Sequence, residues 1–288
     1  MNTEVMEVSV VLPGGRSVAG LRMGSTSGVP VLALHGWLDN AMSFVPLAPW
    51  LDSANVLAMD HAGHGASEPR GAGSLYTFLE YVEDVLSVAD SLGWARFSLL
   101  GHSLGAAVAL AVAGVAPGRI ERVALIDGLG PAVTEPGEFP GALRRTLTVR
   151  AAGVRGSRTF PTVAAAVDRM LEVRTPLARS SAELIASRGL CTRDAGVAFV
   201  HDPRLHLPSL QRLTEDQVCA LLAEVTAPVL LFRPQHGWPV PHEVVARRMG
   251  LLAMVSVVEV PGGHHVHMDA PEVVGPPLRA FLTATEAR

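Results

Sequence analysis

Hydrophobic positions along this chain switch period in a repeating order. Residues 4–12 and 17–23 read as two strands, joined by a Pro13-Gly14-Gly15 turn. Residues 30–34 and 55–59 are short apolar runs with the look of buried strands. The first ends in His35-Gly36-Trp37, the second in Asp60-His61-Ala62-Gly63-His64-Gly65. Over residues 77–92 the period lengthens: Phe78, Val82, Val85, Ala89 and Leu92 recur at helical spacing and predict an amphipathic helix. Residues 97–100, 123–126, 228–232 and 255–260 are further strands, and a last helix is expected over about 271–284. Strand–helix alternation predicts an α/β fold, a mainly parallel twisted sheet with helices on both faces. Between residues 131 and 226 the strand pattern disappears. Helix-like runs at 162–173 and 182–187, broken by prolines and glycines, predict a helical cap inserted over the strand ends. The expected division is a core of residues 1–130 and 227–288 with a cap of 131–226.

Composition narrows the class. The chain has 288 residues, 49% hydrophobic and 17% charged, enough for a large core and too apolar for disorder. A net charge of −4 gives no reason to expect a nucleic-acid partner. Residues 99–116 are nearly free of charge, but glycines, His102 and Ser103 interrupt the first third. A buried strand and helix explain that run better than a membrane span. The N-terminus carries Glu4 and Glu7 and no basic stretch, so no signal peptide is expected. The two cysteines, Cys191 and Cys219, suggest apolar filling in a reduced cytoplasm rather than a disulfide framework. A monomer or homodimer is expected.

The chemistry centres on Leu99-Leu100-Gly101-His102-Ser103-Leu104-Gly105, followed by Ala106-Ala107-Val108-Ala109-Leu110. An apolar strand, a sharp turn with serine at its apex and a small-residue helix form the pattern of a nucleophile elbow. Strain at the apex holds the Ser103 hydroxyl out at the start of a helix, whose N–H groups favour developing negative charge. Trp37, in the loop after the 30–34 strand, and Leu104, just after the serine, are the expected backbone donors to an oxyanion. The general base is a histidine in Pro261-Gly262-Gly263-His264-His265-Val266-His267-Met268-Asp269. His264, directly after the Gly-Gly turn, is the choice. His267 is the alternative, and His265 is expected to face solvent or lie behind the base.

The acid is harder to place. Arg233-Pro234-Gln235-His236-Gly237-Trp238-Pro239, a few residues after the 228–232 strand, holds no carboxylate, and the position where one is expected reads as Gly237. Asp127 ends the strand after the elbow helix, beside Ser103, and keeps the chain order Ser, Asp, His. It is taken as the acid, although Asp-Gly is also a common turn pair. Asp60 and Asp39 are read as braces for their loops.

These segments together resemble the α/β-hydrolase superfamily. Within it, the His35 to Ala41 motif, Asp60 to Gly65, the elbow, His236-Gly237-Trp238 and the closing Gly-Gly-His-His-Val-His-Met run are similar to the serine hydrolase-like (kraken-like) group. The likeness extends from about residue 30 to the C-terminus and is weakest in the cap. It implies Ser103 as nucleophile, His264 as base, Asp127 as acid, and Trp37 with Leu104 as oxyanion donors. Animal members of the group are associated with peroxisomes. The last residues, Ala287-Arg288, are not a Ser-Lys-Leu-type address, so that location does not carry over.

Together these features predict a hydrolase of a carboxylic ester, thioester or lactone, working through an acyl-enzyme with no metal or organic cofactor. Its partner would be a small acyl substrate. Dehalogenase or epoxide hydrolase chemistry would need a carboxylate nucleophile. A non-catalytic ligand receptor on the same fold is the alternative, because Gly237 leaves the usual acid missing. Charge asymmetry adds one more expectation. Residues 141–213 hold twelve arginines and five acids, leaving eleven arginines and twenty-two acids elsewhere. Cap arginines either pair with core acids at the cap–core seam or simply face water, or else they bind an anionic handle on the substrate. Arg144, Arg145 and Arg188 are the candidates for the second role, with His35 and Arg188 as the expected substrate-binding residues.

Overall fold

The sheet begins with a hairpin, β1 (Met6–Val11) and β2 (Ser17–Gly24), in a computed structural model that describes residues 4–154, 156–173 and 176–284. Then come β3 (Val29–Leu34), β4 (Ala54–Met59), α1 (Phe78–Ser91), β5 (Phe97–His102), α2 (Leu104–Val115) and β6 (Ile120–Ile126). The insertion carries α3 (Phe139–Ala151), β7 (Thr159–Phe160), α4 (Val163–Val173), α5 (Arg179–Gly189), β8 (Leu190–Arg193), β9 (Gly196–Phe199) and α6 (Glu215–Ala223). The chain returns through β10 (Val229–His236), α7 (His242–Met249), β11 (Val255–Gly263), the short α8 (Val266–Asp269) and α9 (Pro271–Thr283).

Eight strands form one sheet in the order β1-β2-β4-β3-β5-β6-β10-β11. Only the β1–β2 and β2–β4 pairs are antiparallel. The other pairs are parallel, so their carboxyl ends gather on one edge. Every residue of β4 and β5 is buried, which is why those strands read as apolar runs rather than alternations. Side chains still alternate across the sheet. Leu32, Leu34, Leu57 and Leu99 pack with Val85 and Val88 of α1 and with α2. Val31, Ala33, Val56 and Leu100 pack on the opposite face with Phe44, Val274 and Leu278. Removing a large aliphatic side chain from either layer, as in Leu99→Ala, would cost about 2–5 kcal/mol. Helix α1 starts where the pattern put it, with Thr77 and Glu80 forming a reciprocal capping box.

Helix α2 runs through the core rather than over it, so its residues are small. A Cβ added at Gly105 would stand 1.8 Å from the Leu34 carbonyl oxygen, which lets α2 lie against β3.

The insertion differs from its expected all-helical form. β7, β9 and β8 make a three-stranded antiparallel sheet. These strands have only two to four residues each, too few to show a period in the sequence. A boundary at residue 226 assigns α6 to the insertion, but its packing assigns it to the core: Val218 and Leu222 join the layer over the sheet. The insertion has its own small apolar cluster, Val167, Met170, Ala182, Ile185 and Ala186, closed by Met268 from the core. Among the described residues no helix is long and apolar enough to cross a membrane.

Candidate active site

Ser103, Asp127 and His264 each leave the carboxyl end of a parallel strand: β5, β6 and β11. Ser103 sits between β5 and α2 with φ 53° and ψ −114°, a left-handed conformation that costs a non-glycine residue free energy. Its N–H donates to the Ile126 carbonyl at 3.0 Å, which ties the turn to the neighbouring strand. Asp127 is also left-handed, with φ 46°, and its N–H donates to the Phe232 carbonyl at 3.1 Å. Both strained residues are therefore held by strand-end hydrogen bonds across the sheet.

The three side chains form a connected chain. His264 Nε2 lies 3.0 Å from Ser103 Oγ, and His264 Nδ1 lies 2.5 Å from Asp127 Oδ2. With the Nδ1 proton donated to a carboxylate, Nε2 presents its lone pair to the serine hydroxyl, as an acceptor of that proton must. The same Asp127 oxygen accepts the Trp238 backbone N–H at 2.7 Å. A Cβ at Gly237 would stand 2.4 Å from Asp127 Oδ1. The residue that sequence reading marks as the missing acid is thus the space the Asp127 carboxylate occupies. The Trp238 donor went unnoticed in the sequence, because a backbone N–H leaves no mark on residue type.

Three further histidines surround His264 from below. His102 is fully buried, and burial pushes its pKa down to about 4. Its Nε2–H donates to the His264 carbonyl at 2.9 Å. His265 is buried rather than solvent-facing, with Nε2 3.3 Å from Asp39 Oδ2. His267, the alternative base, is fully buried against the His102 and Phe44 rings. Its pKa is lowered well below the ordinary histidine value, chiefly by that burial.

Above the serine lies a cavity of about 2020 Å³. Its floor is Ser103, Leu104, Trp37 and His264, and its walls include Val149, Val154, Phe160, Met170 and Phe199 from the insertion. This volume exceeds the usual range of about 300–1,000 Å³ for small-molecule sites. Leu104 is the first residue of α2, so its N–H has no partner within the helix. The Trp37 ring is half-exposed in the cavity, and its indole N–H donates to the Leu205 carbonyl of the insertion at 3.3 Å.

The two expected substrate-binding residues lie elsewhere. His35 is fully buried: Nδ1 donates to the Gly36 carbonyl at 2.7 Å, and Nε2 accepts the His61 N–H at 3.0 Å. Both nitrogens serve the loop, and neither reaches the cavity. Arg188 pairs with Asp60 at 2.7 Å and with Glu7, fastening the insertion to the sheet. Asp60 also accepts the Ala41 and Ala66 N–H groups at 2.7 and 2.9 Å, so it braces its loop. Arg144 and Arg145 do not line the cavity, whereas Arg158 and Arg169 do. Arg169, Arg179 and Arg204 pair with acids of the insertion itself. Arg155, Arg174 and the residues 285–288 lie outside the described residues.

A profile of the alpha/beta hydrolase fold family matches residues 29–271. The chain belongs to the α/β-hydrolase family and, within it, to the serine hydrolase-like group. It is 32% identical to a serine hydrolase-like protein of Danio rerio over 98% of this chain and 90% of that one. A solved structure of a hypothetical protein from Pseudomonas aeruginosa PAO1 superposes with a TM-score of 0.91 at 40% identity, covering 98% of this chain and 99% of that one. The 2-(acetamidomethylene)succinate hydrolase of Mesorhizobium japonicum is 28% identical over 90% of this chain and 89% of that one.

Proposed function

We propose that the chain is a serine hydrolase that cleaves an ester, thioester or lactone bond through an acyl-enzyme on Ser103. The observation that carries this reading is the unbroken hydrogen-bond chain from Ser103 Oγ to His264 to Asp127 at the carboxyl edge of the sheet. In the first half-reaction Ser103 Oγ attacks the acyl carbon while its proton passes to His264 Nε2. Asp127 holds the imidazole in the required tautomer and stabilises the imidazolium that forms. The backbone N–H groups of Leu104 and Trp37 are the donors for the oxyanion. Collapse of the tetrahedral intermediate expels the alcohol or thiol, which takes the proton from His264. Water then attacks the acyl-enzyme by the same route in reverse, with His264 again as base, and releases the acid and free Ser103.

The packing of Asp127 in front of Gly237 supports a complete triad over a non-catalytic receptor. The apolar walls and the size of the cavity support a bulky acyl group, and the absence of Arg144, Arg145 and Arg188 from its lining weakens the case for an anionic handle at those positions. Ser103→Ala tests the reading. Turnover of a short p-nitrophenyl ester is expected to fall by about 10⁴-fold or more with the fold intact by circular dichroism. Retention of wild-type turnover would refute it.

A further inference from the structure

Beneath His264 the structure gathers Asp39, His102 and His265, one donor atom each, all within 4.8 Å of one another. All three residues are buried and yet border the cavity. Asp39 Oδ2 stands 3.6 Å from His102 Nδ1 and 3.3 Å from His265 Nε2. Two ligands at opposite ends of a tetrahedral edge around zinc, with bonds of about 2.0–2.1 Å, are about 3.3–3.4 Å apart. The Asp39–His265 separation matches that edge, and the Asp39–His102 separation is slightly longer. Both are long for a strong charge-assisted hydrogen bond.

The tautomer of His102 sharpens the point. A carbonyl only accepts, so the contact to His264 O commits Nε2 of His102 as the donor. In a neutral ring Nδ1 then carries a lone pair, and this buried atom has no hydrogen-bond partner among the described residues. It faces a carboxylate oxygen. Two acceptors facing each other across a buried gap repel, and a cation between them removes that repulsion. A metal-bound imidazole characteristically donates its other N–H to a carbonyl or carboxylate, which is what His102 does. Gly36 leaves the front of the gap without a side chain: a Cβ there would stand 3.0 Å from both Asp39 Oδ2 and His102 Nδ1.

We infer that Asp39, His102 and His265 form a binding site for one zinc-class divalent cation, entered from the cavity and completed there by solvent. Two imidazoles and one carboxylate are a donor set that suits zinc. The site is separate from the Ser103–His264–Asp127 chain yet adjoins it: the His264 ring centroid lies 4.7 Å from that of His102 and 5.1 Å from that of His265.

The test uses the full chain and reads binding apart from activity. Zinc titration should show one ion per chain, cobalt(II) should give the visible band of a tetrahedral N/O site, and zinc should raise the wild-type Tm. His265→Gln and Asp39→Asn should each weaken binding by about tenfold or more and abolish the Tm shift. His206→Gln should bind as wild type does. It dismantles the other candidate on the cavity wall, the His201–His206 pair, whose Nε2 atoms are 3.0 Å apart. Ser103→Ala should also bind normally, so an idle triad cannot mimic an absent metal site. No zinc-dependent Tm shift in the wild type would overturn the inference, and that measurement needs no variant to fold. Binding that survives in His265→Gln and is lost in His206→Gln would overturn it as well.

Discussion

The loops that follow β6 and β10 lie side by side at the edge of the sheet, and they divide one task between them. The β6 loop supplies the carboxylate, from a strained residue with φ 46°. The β10 loop supplies the room for it at Gly237 and a backbone donor at Trp238. The Asp127 carboxylate faces the far side of the imidazole, and a side chain at 237 could not fit beside it. The Asp127 carboxylate on the β6 loop thus requires glycine at 237 on the β10 loop, which still offers it an N–H from Trp238.

The largest expected effect breaks the first half of this arrangement. Asp127→Asn should lower ester turnover by about 10⁴-fold, because the amide favours the wrong imidazole tautomer. Asp60→Asn should cost far less in turnover, since its oxygens serve the loop and Arg188. Equal losses in steady-state assays would remove the distinction. The next effect breaks the second half. Gly237→Ala puts a methyl against Asp127 Oδ1 and should cost about 10²-fold in turnover, with little change in Tm. An alanine variant with wild-type rates would show that the two loops are not coupled.

A smaller effect concerns the floor under the β6 loop. Arg248, buried, donates to both Glu215 oxygens at 3.0 and 2.6 Å, and to the Leu129 and Pro131 carbonyls. The hydrogen bonds from Arg248 hold the Glu215 carboxyl below its ordinary value. A group depressed in the folded state stabilises above its unfolded pKa and loses that contribution as pH falls through the folded one. Glu215→Gln should therefore cost about 2 kcal/mol at neutral pH. The deficit should shrink as pH falls below about 4.3, the ordinary glutamate value. Thermal melts of both proteins at pH 7 and pH 4 check the sign. The smallest effect is expected from Arg144→Glu and Arg145→Glu. Neither residue lines the cavity, so KM for anionic and neutral esters should change by less than about twofold.

The same pair of loops shows how much the residue pattern could reveal. The elbow and the sheet were legible, because burial on both faces and a strand-turn-helix switch leave strong marks on composition, and the expected Ser103, Asp127 and His264 lie within hydrogen-bond reach of one another. The run of β10 through Arg233 to His236 was not. There the strand is held by pairing with β11, which continues past polar residues and shifts register between Pro234 and His236. The short strands of the insertion were equally silent. Arg188 and His35 were misplaced for a related reason: their partners, Asp60 and His61, come from another loop that only the folded sheet brings near. The buried histidines beside His264 carry ordinary residue names, and only packing distinguishes them from His264, whose Nε2 lies 3.0 Å from Ser103 Oγ.

The central claim is that Ser103 is the nucleophile of a working triad. Treating the wild-type protein with a fluorophosphonate probe and locating the adduct by peptide mass spectrometry tests it most directly. A single adduct on Ser103, formed about 10⁴-fold more slowly in Asp127→Asn, is the result predicted here. An unlabelled Ser103, or labelling that proceeds equally fast without the Asp127 carboxylate, would contradict it.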